Sequence, residues 1–221
     1  MRAREPLFER WTLDELVARH RVLLEKLHLQ VMAGRLSIDQ ARWLRFGQLL
    51  VDAAGEAPGA TGEDIDERTE RVARDYRGTY EQAGHPVPGA PELLRRLRAA
   101  GLAIVVVTNN NIAEQAQKIG RVGLQGLIDV LVTSEEVGCC KPDERIFSSA
   151  LARVAAAPAE SVMLGDAWAI DVEGARRAGI RPVWLNRFGE TTRDPEVAEL
   201  TSLEPASHAF DVLHGAVWDR V

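Results

Sequence analysis

Leu102-Ala103-Ile104-Val105-Val106-Val107-Thr108-Asn109 is the stretch that decides the fold. It is apolar almost without a break from Leu102 to Val107, the pattern of a strand covered on both faces. It then ends in a hydroxyl and an amide. Outward from it the rhythm is helix, strand, helix, strand. Pro91 to Ala100 reads as a helix stopped at Gly101, and Ile112 to Ile119 as the helix that follows the strand. Further strands are expected at Ile128–Thr133, Ser161–Leu164 and Arg181–Leu185, with helices over Asp143–Ala157 and Asp171–Ala178. A short strand at Ala209-Phe210 and a terminal helix are expected beyond Asn186. This alternation predicts an α/β core with a parallel sheet and helices on both faces.

Upstream of residue 85 the character changes. Thr12-Leu13-Asp14-Glu15 and Ser37-Ile38-Asp39-Gln40 are capping boxes, each opening a helix. On the first helix Leu13, Leu16, Val17, His20, Leu24, Leu27 and Val31 follow a 3.6-residue stripe, with Gly34 as the stop. The second runs through Trp43, Leu44, Leu49 and Leu50 to about Ala54. A loop from Gly55 to Gly62 leads to a third, more polar helix over Glu63–Gln82. The expected organisation is three helices without strands, a small bundle or a lid, at 1–84 and an α/β core at 85–221.

The 221 residues carry 27 Lys+Arg against 33 Asp+Glu, a net charge of −6. Neither half is basic, which argues against nucleic acid as a partner. No apolar run approaches a membrane span, and the start lacks a secretion signal, so no membrane and a cytoplasmic location are expected. Adjacent Cys139 and Cys140 offer no zinc pattern; a packing role is expected for them. The five histidines lack metal-ligand spacing, and the five tryptophans form no stacking platform.

In open α/β sheets the functional crevice lies at the carboxyl ends of the strands. Thr108-Asn109 ends the first strand, Lys141-Pro142 follows the second, and Gly165-Asp166 ends the third, with Asp171 five positions on. Singly each has a bland explanation: Thr108 and Asp166 as helix caps, Lys-Pro as a turn. Together they suit a phosphoryl group, with hydroxyl and ammonium for its oxygens and carboxylates for a Mg²⁺.

Val105-Val106-Val107-Thr108-Asn109, Glu135-Glu136-Val137-Gly138 with Lys141-Pro142, and Gly165-Asp166 with Asp171 resemble motifs II, III and IV of the haloacid dehalogenase-like (HAD) superfamily. Pro88-Gly89-Ala90-Pro91-Glu92-Leu93-Leu94 resembles that family's return into the core. Gly165-Asp166-Ala167-Trp168, Gly174-Ala175 and Trp184-Leu185-Asn186-Arg187 resemble its nucleotidase and N-acylneuraminate-9-phosphate phosphatase branch. The resemblance implies a Mg²⁺-dependent phosphatase of small phosphomonoesters, nucleotides or sugar phosphates, acting through an aspartyl-phosphate. On it, the fold is a Rossmann-like α/β core with the helices of 1–84 as a helical cap; Thr108, Asn109 and Lys141 bind phosphate, Lys141 and Asp166 serve catalysis, Asp166 serves the metal, and Asp171 serves the metal or supports Asp166 or the lysine. Arg45, on the second helix, is the candidate substrate-facing cation; its alternative is a solvated surface arginine.

The family's first motif, Asp-x-Asp-x-Thr/Ser, has no match before Thr108. Asp64-Ile65-Asp66 has the spacing, but Arg68 stands at the hydroxyl position and no apolar strand precedes it. Acids in a first helical turn are the better reading. Nucleophile and acid/base are therefore expected to be missing, and the chain is expected to show no turnover alone. A non-catalytic binding or interaction protein, or a fragment from a misplaced start, is the alternative. The resemblance also places the lost strand mid-sheet, between the strands ending at Thr108 and Gly165. Direct pairing of these two, a partner strand or self-association filling the gap, or poor solubility is expected.

Overall fold

The computed structural model describes residues 5–55, 62–82, 84–191 and 194–218. The chain divides into two compact units, Met1–Gly84 and His85–Val221.

The first unit is helical. A 3₁₀ turn at Pro6–Arg10 leads into α1 (Leu13–Met32), α2 (Ile38–Ala54) and α3 (Gly62–Gln82). Both expected capping boxes form. Thr12 Oγ1 accepts the Glu15 N–H at 3.2 Å, and Ser37 Oγ accepts that of Gln40 at 3.1 Å. Phe8, Trp11, Leu16, Phe46, Leu49, Leu50, Ala53 and Val72 make the core. The inward face of α1 differs from the expected stripe. Leu16 and Leu27 are buried, whereas Leu13, Val17 and Leu24 are exposed. The apolar arc of α1 is wider than the surface its neighbours cover, so its edge stays outside. Asp64 and Asp66 lie at the start of α3, and Asp64 pairs with Arg68 at 2.8 Å, as the helical reading requires. Of the expected 55–62 loop, 56–61 lie outside the described residues.

The second unit is an α/β fold. Its elements are α4 (Ala90–Ala99), β1 (Val105–Thr108), α5 (Ile112–Arg121), β2 (Val130–Thr133), α6 (Ser134–Val137), α7 (Glu144–Arg153), β3 (Val162–Gly165), α8 (Glu173–Arg177), β4 (Arg181–Leu185), β5 (Ala198–Leu200) and α9 (Ala206–Trp218). All described strand pairs are parallel, Val105 opposite Val130, Val162 opposite Arg181 and Val183 opposite Ala198. Ala209-Phe210 is not a strand but part of α9. Ala209 and Leu213, one turn apart, are both buried against β4 and β5, a helical period that a two-residue apolar pair does not reveal.

The sheet is in two halves: β1 pairs with β2, and β3 with β4 and then β5. Direct pairing of β1 with β3, one of the expected alternatives, does not form. Both halves nevertheless sit between the same two apolar layers. Val105, Val107 and Met163 pack with Ile146, Phe147 and Ala175, while Ile104, Val162 and Leu164 pack with Leu93, Leu97 and Leu213. The helices on each face thus set the spacing of the half-sheets and keep them from closing. Every residue of β1 and β3 retains part of its exposure, while Val132 and Thr133 on β2 and Val183, Trp184 and Leu185 on β4 are buried. Residues along both inner edges thus keep some access to solvent, which lowers the cost of any backbone group left unpaired there.

Candidate functional site

The carboxyl ends of β1, β2 and β3 bring Thr108, Asn109, Lys141, Asp166 and Asp171 to one end of the α/β unit. Thr108 closes β1, and it is not a helix cap: Asn111 caps α5, its Oδ1 accepting the Glu114 N–H at 2.8 Å. Lys141, 9% exposed, is the ammonium of this end. Its Nζ donates to Asp171 Oδ1 at 2.7 Å. Asp171 sits in a π-helical turn, Trp168–Val172, that runs into α8, and its Oδ2 accepts the Ala167 N–H at 3.1 Å. Both carboxylate oxygens are therefore engaged.

Glycine makes this approach possible. A Cβ on Gly165 would lie 2.3 Å from Asp171 Cβ, so only a residue without a side chain lets the turn fold back over the end of β3. At Gly174 a Cβ would meet the Phe147 ring at 2.8 Å and Pro142 Cα at 3.1 Å, which seats α8 against the lysine loop.

One sequence-based assignment changes and one narrows. Asn109 was expected to bind phosphate. Its side chain instead fastens the lysine loop, with Nδ2 donating to the Lys141 carbonyl at 2.9 Å and Oδ1 accepting the Lys141 N–H at 2.6 Å. That two-way bond makes it a positioning residue. Asp171 is expected either to serve the metal or to support the lysine; its oxygens are committed to Lys141 and Ala167, so it takes the second role and orients the ammonium. Asp166 is exposed at the end of β3. Arg187, which follows β4, approaches its Oδ2 at 3.5 Å, and the Trp184 indole donates to its backbone carbonyl at 3.3 Å. Sequence reasoning gave Arg187 no role; its position just past a strand end was the available signal.

Mg²⁺ takes near-octahedral oxygen ligands, often one or two carboxylates with waters. With Asp171 committed, Asp166 is the outward carboxylate of this set. Among the described residues no group of three or more His, Cys, Asp and Glu side chains is placed to hold a metal. The residues present do not by themselves fit a Mg²⁺ site. What they can do is bind an anion. Lys141 keeps two N–H groups after pairing with Asp171, and Thr108 offers a hydroxyl at the same end.

Elsewhere, Asp143 caps α7, and its bonds from Arg145 hold its carboxyl down at about 2. Burial pushes the Cys139 thiol up, the direction of a packing rather than a reactive cysteine. A cleft of about 510 Å³, lined by Arg176, Arg181, Pro182, Glu196 and Asp211, lies at the amino end of β4 and contains none of the site residues. No described helix is long and apolar enough to cross a membrane. Arg45 is in the helical unit, buried rather than solvated.

Comparison with known proteins places this geometry. A family model described as haloacid dehalogenase-like hydrolase matches residues 3–179. Phosphoserine phosphatase of Thermus thermophilus is 37% identical over 148 residues, 66% of this chain and 56% of that protein. Pyrimidine 5'-nucleotidase YjjG of Escherichia coli is 41% identical over 103 residues, 46% of this chain and 45% of that protein. The chain thus spans about half the length of these curated relatives. The magnesium-bound structure of YfnB from Bacillus subtilis, a HAD-hydrolase by its own description, superposes with a TM-score of 0.72. It is 22% identical, over 93% of this chain and 87% of that one, a likeness that speaks for the fold alone.

Proposed function

The chain belongs to the haloacid dehalogenase-like hydrolases, and from that premise we propose that it serves phosphoryl chemistry on small phosphomonoesters such as nucleotides or sugar phosphates. The observation that carries this reading is the Lys141–Asp171 pair at 2.7 Å. A buried ammonium is aimed by a carboxylate and by the Asn109 clamp, yet keeps donors for an incoming anion. Thr108 and Lys141 would take two phosphoryl oxygens, offsetting charge where it develops. The similarity to a phosphoserine phosphatase and a nucleotidase supports phosphatase over dehalogenase.

What this set lacks is a nucleophile and a general acid. In the proposed reaction a carboxylate attacks phosphorus, the ester oxygen leaves as the protonated alcohol, and water then hydrolyses the acyl phosphate. Asp64 and Asp66, on α3, are no such pair. A parallel strand entering between the open edges of β1 and β3 would deliver its carboxyl end beside Thr108 and Asp166. Any Mg²⁺ would need carboxylates from that strand in addition to Asp166. Enzymes accelerate phosphate-monoester hydrolysis by up to ~10²¹-fold, which positioning groups alone do not supply.

The commitment of Asp171 to Lys141 also favours a second reading, in which the chain binds a phosphorylated ligand without turning it over. One experiment separates the two. Phosphate release from nucleotides, sugar phosphates and O-phosphoserine is measured for the chain alone and with an apolar peptide ending in Asp-x-Asp-x-Thr. We expect no release by the chain alone and phosphate binding that Lys141→Met abolishes. Release that appears only with the peptide supports the enzyme; binding without release in either case supports the binding protein. Release by the chain alone, lost in Asp166→Asn, would overturn the missing-nucleophile reading.

A further inference from the structure

The helical unit buries two charged side chains and treats them in opposite ways. Glu5, 1% exposed, accepts from Arg68 at 2.7 Å, Arg71 at 3.0 Å and the Leu7 N–H at 3.2 Å. Arg45, 6% exposed, donates to no carboxylate or carbonyl among the described residues, and its Nε is sealed from solvent without a partner. Its guanidinium carbon lies 4.9 Å from the Phe46 ring centre and 5.6 Å from that of Tyr76. His20, from α1, packs on the same two rings at 6.0 and 5.6 Å. The His20 Nε2 is likewise buried without a partner, and these are the two such side-chain atoms among the described residues. Both orphans of the structure therefore fall in one cluster, where α1, α2 and α3 meet.

An uncompensated buried cation costs several kcal/mol, and cation–π contacts return only part of that. The ionisable neighbours that act on Arg45 include Tyr76 and Arg42, neither of which is a carboxylate. The cluster has three aromatic or imidazole walls, one guanidinium and a spare imidazole nitrogen. What it lacks is an acceptor.

We propose that Arg45 and His20, walled by Phe46 and Tyr76, form a receptor for a small carboxylate in the helical unit. The inference stands apart from the phosphatase reading, since none of these residues belongs to the Thr108–Lys141 site. The charge count selects the ligand class. Burial and the Arg45 charge push the His20 imidazole down to about 4, so it is neutral at pH 7 and the cluster holds one positive charge. A monoanion balances that charge, whereas a phosphate dianion would leave an excess negative charge among aromatic rings. A planar carboxylate also accepts two parallel N–H bonds from a guanidinium fork, and the neutral imidazole can donate a third.

The test uses the full chain at constant ionic strength set by chloride. The His20 imidazole is followed by NMR during titration with glycolate, phosphoglycolate and inorganic phosphate. We expect glycolate to move the His20 resonances saturably and Arg45→Met to weaken that binding about tenfold or more, the loss of a charge-assisted bidentate contact. Arg45→Lys should restore part of it, and inorganic phosphate should bind more weakly than glycolate. Glycolate and phosphoglycolate acting at equal concentrations would identify an independent carboxylate ligand. Phosphoglycolate acting at a tenth of the glycolate concentration would identify the carboxylate of a phosphomonoester. The proposal is overturned if neither carboxylate moves His20, if Arg45→Met responds as the wild type does, or if inorganic phosphate binds more tightly than both. The wild-type titration decides the question even if a variant fails to fold.

Discussion

The helical unit and the α/β unit each bury one basic side chain among the described residues, and they solve the same electrostatic problem differently. Lys141 is met by Asp171 at 2.7 Å, with Asn109 holding its backbone. Arg45 is met by rings. A paired charge in low dielectric is held in one geometry, which suits a group that must point at a fixed place. An unpaired one is a standing cost that a ligand can relieve. The α/β unit therefore shows a finished charge arrangement, and the helical unit an unfinished one.

The largest effect is expected at Asp171. Asp171→Ala leaves the Lys141 ammonium buried and alone, which should cost about 3–5 kcal/mol of stability in the α/β unit. Denaturant unfolding would show it, and adding Lys141→Met should recover most of the loss. Equal stability of Asp171→Ala and wild type would mean that the pair is not buried in solution.

Acid sharpens the other side. The His20 pKa lies near 4 in the folded chain and near 6.5 unfolded. Between these values the unfolded chain takes up a proton that the folded chain refuses. Stability contributed by His20 is thus complete above pH 6.5 and declines as the pH falls towards 4. Arg45 makes the protonated state worse. Thermal unfolding across that range should show the decline in the wild type and a flatter profile in His20→Leu.

The smallest effect is expected at Arg45 itself. Without ligand, Arg45→Met replaces an unpartnered buried cation by an apolar chain of similar length. It should be neutral or stabilising by about 1 kcal/mol. Calorimetry showing a loss of 3 kcal/mol or more, roughly the cost of stranding a partner, would reveal a hidden acid beside it.

Much of this was legible before the structure. The capping boxes at Thr12 and Ser37 and the apolar run ending at Thr108 are local patterns whose physics acts within one turn or one strand. With the alternation downstream they placed α1 to α5, α7 to α9 and β1 to β4, with Thr108 and Asp166 at strand ends and Lys141 in the loop region after β2, but neither α6 nor β5. The misses have a common cause. The inward face of α1, the helical state of Ala209-Phe210 and the clamp role of Asn109 all depend on which neighbour arrives. The separation of β1 from β3 depends on helical layers contributed by residues as far apart as Leu93 and Leu213.

The sequence by itself determined the two kinds of architecture, the α/β alternation, the family resemblance and the polar residues that follow the strands. Hydrophobic period, capping and turn chemistry are properties of short stretches of chain. Only the tertiary structure decided which charges are satisfied. Asn109 reaches Lys141 across 32 positions and Lys141 reaches Asp171 across 30, while Arg45 reaches no acid among the described residues. An ion pair is worth its Coulomb energy only at contact distance and out of water, and neither distance nor burial is written in the order of residues.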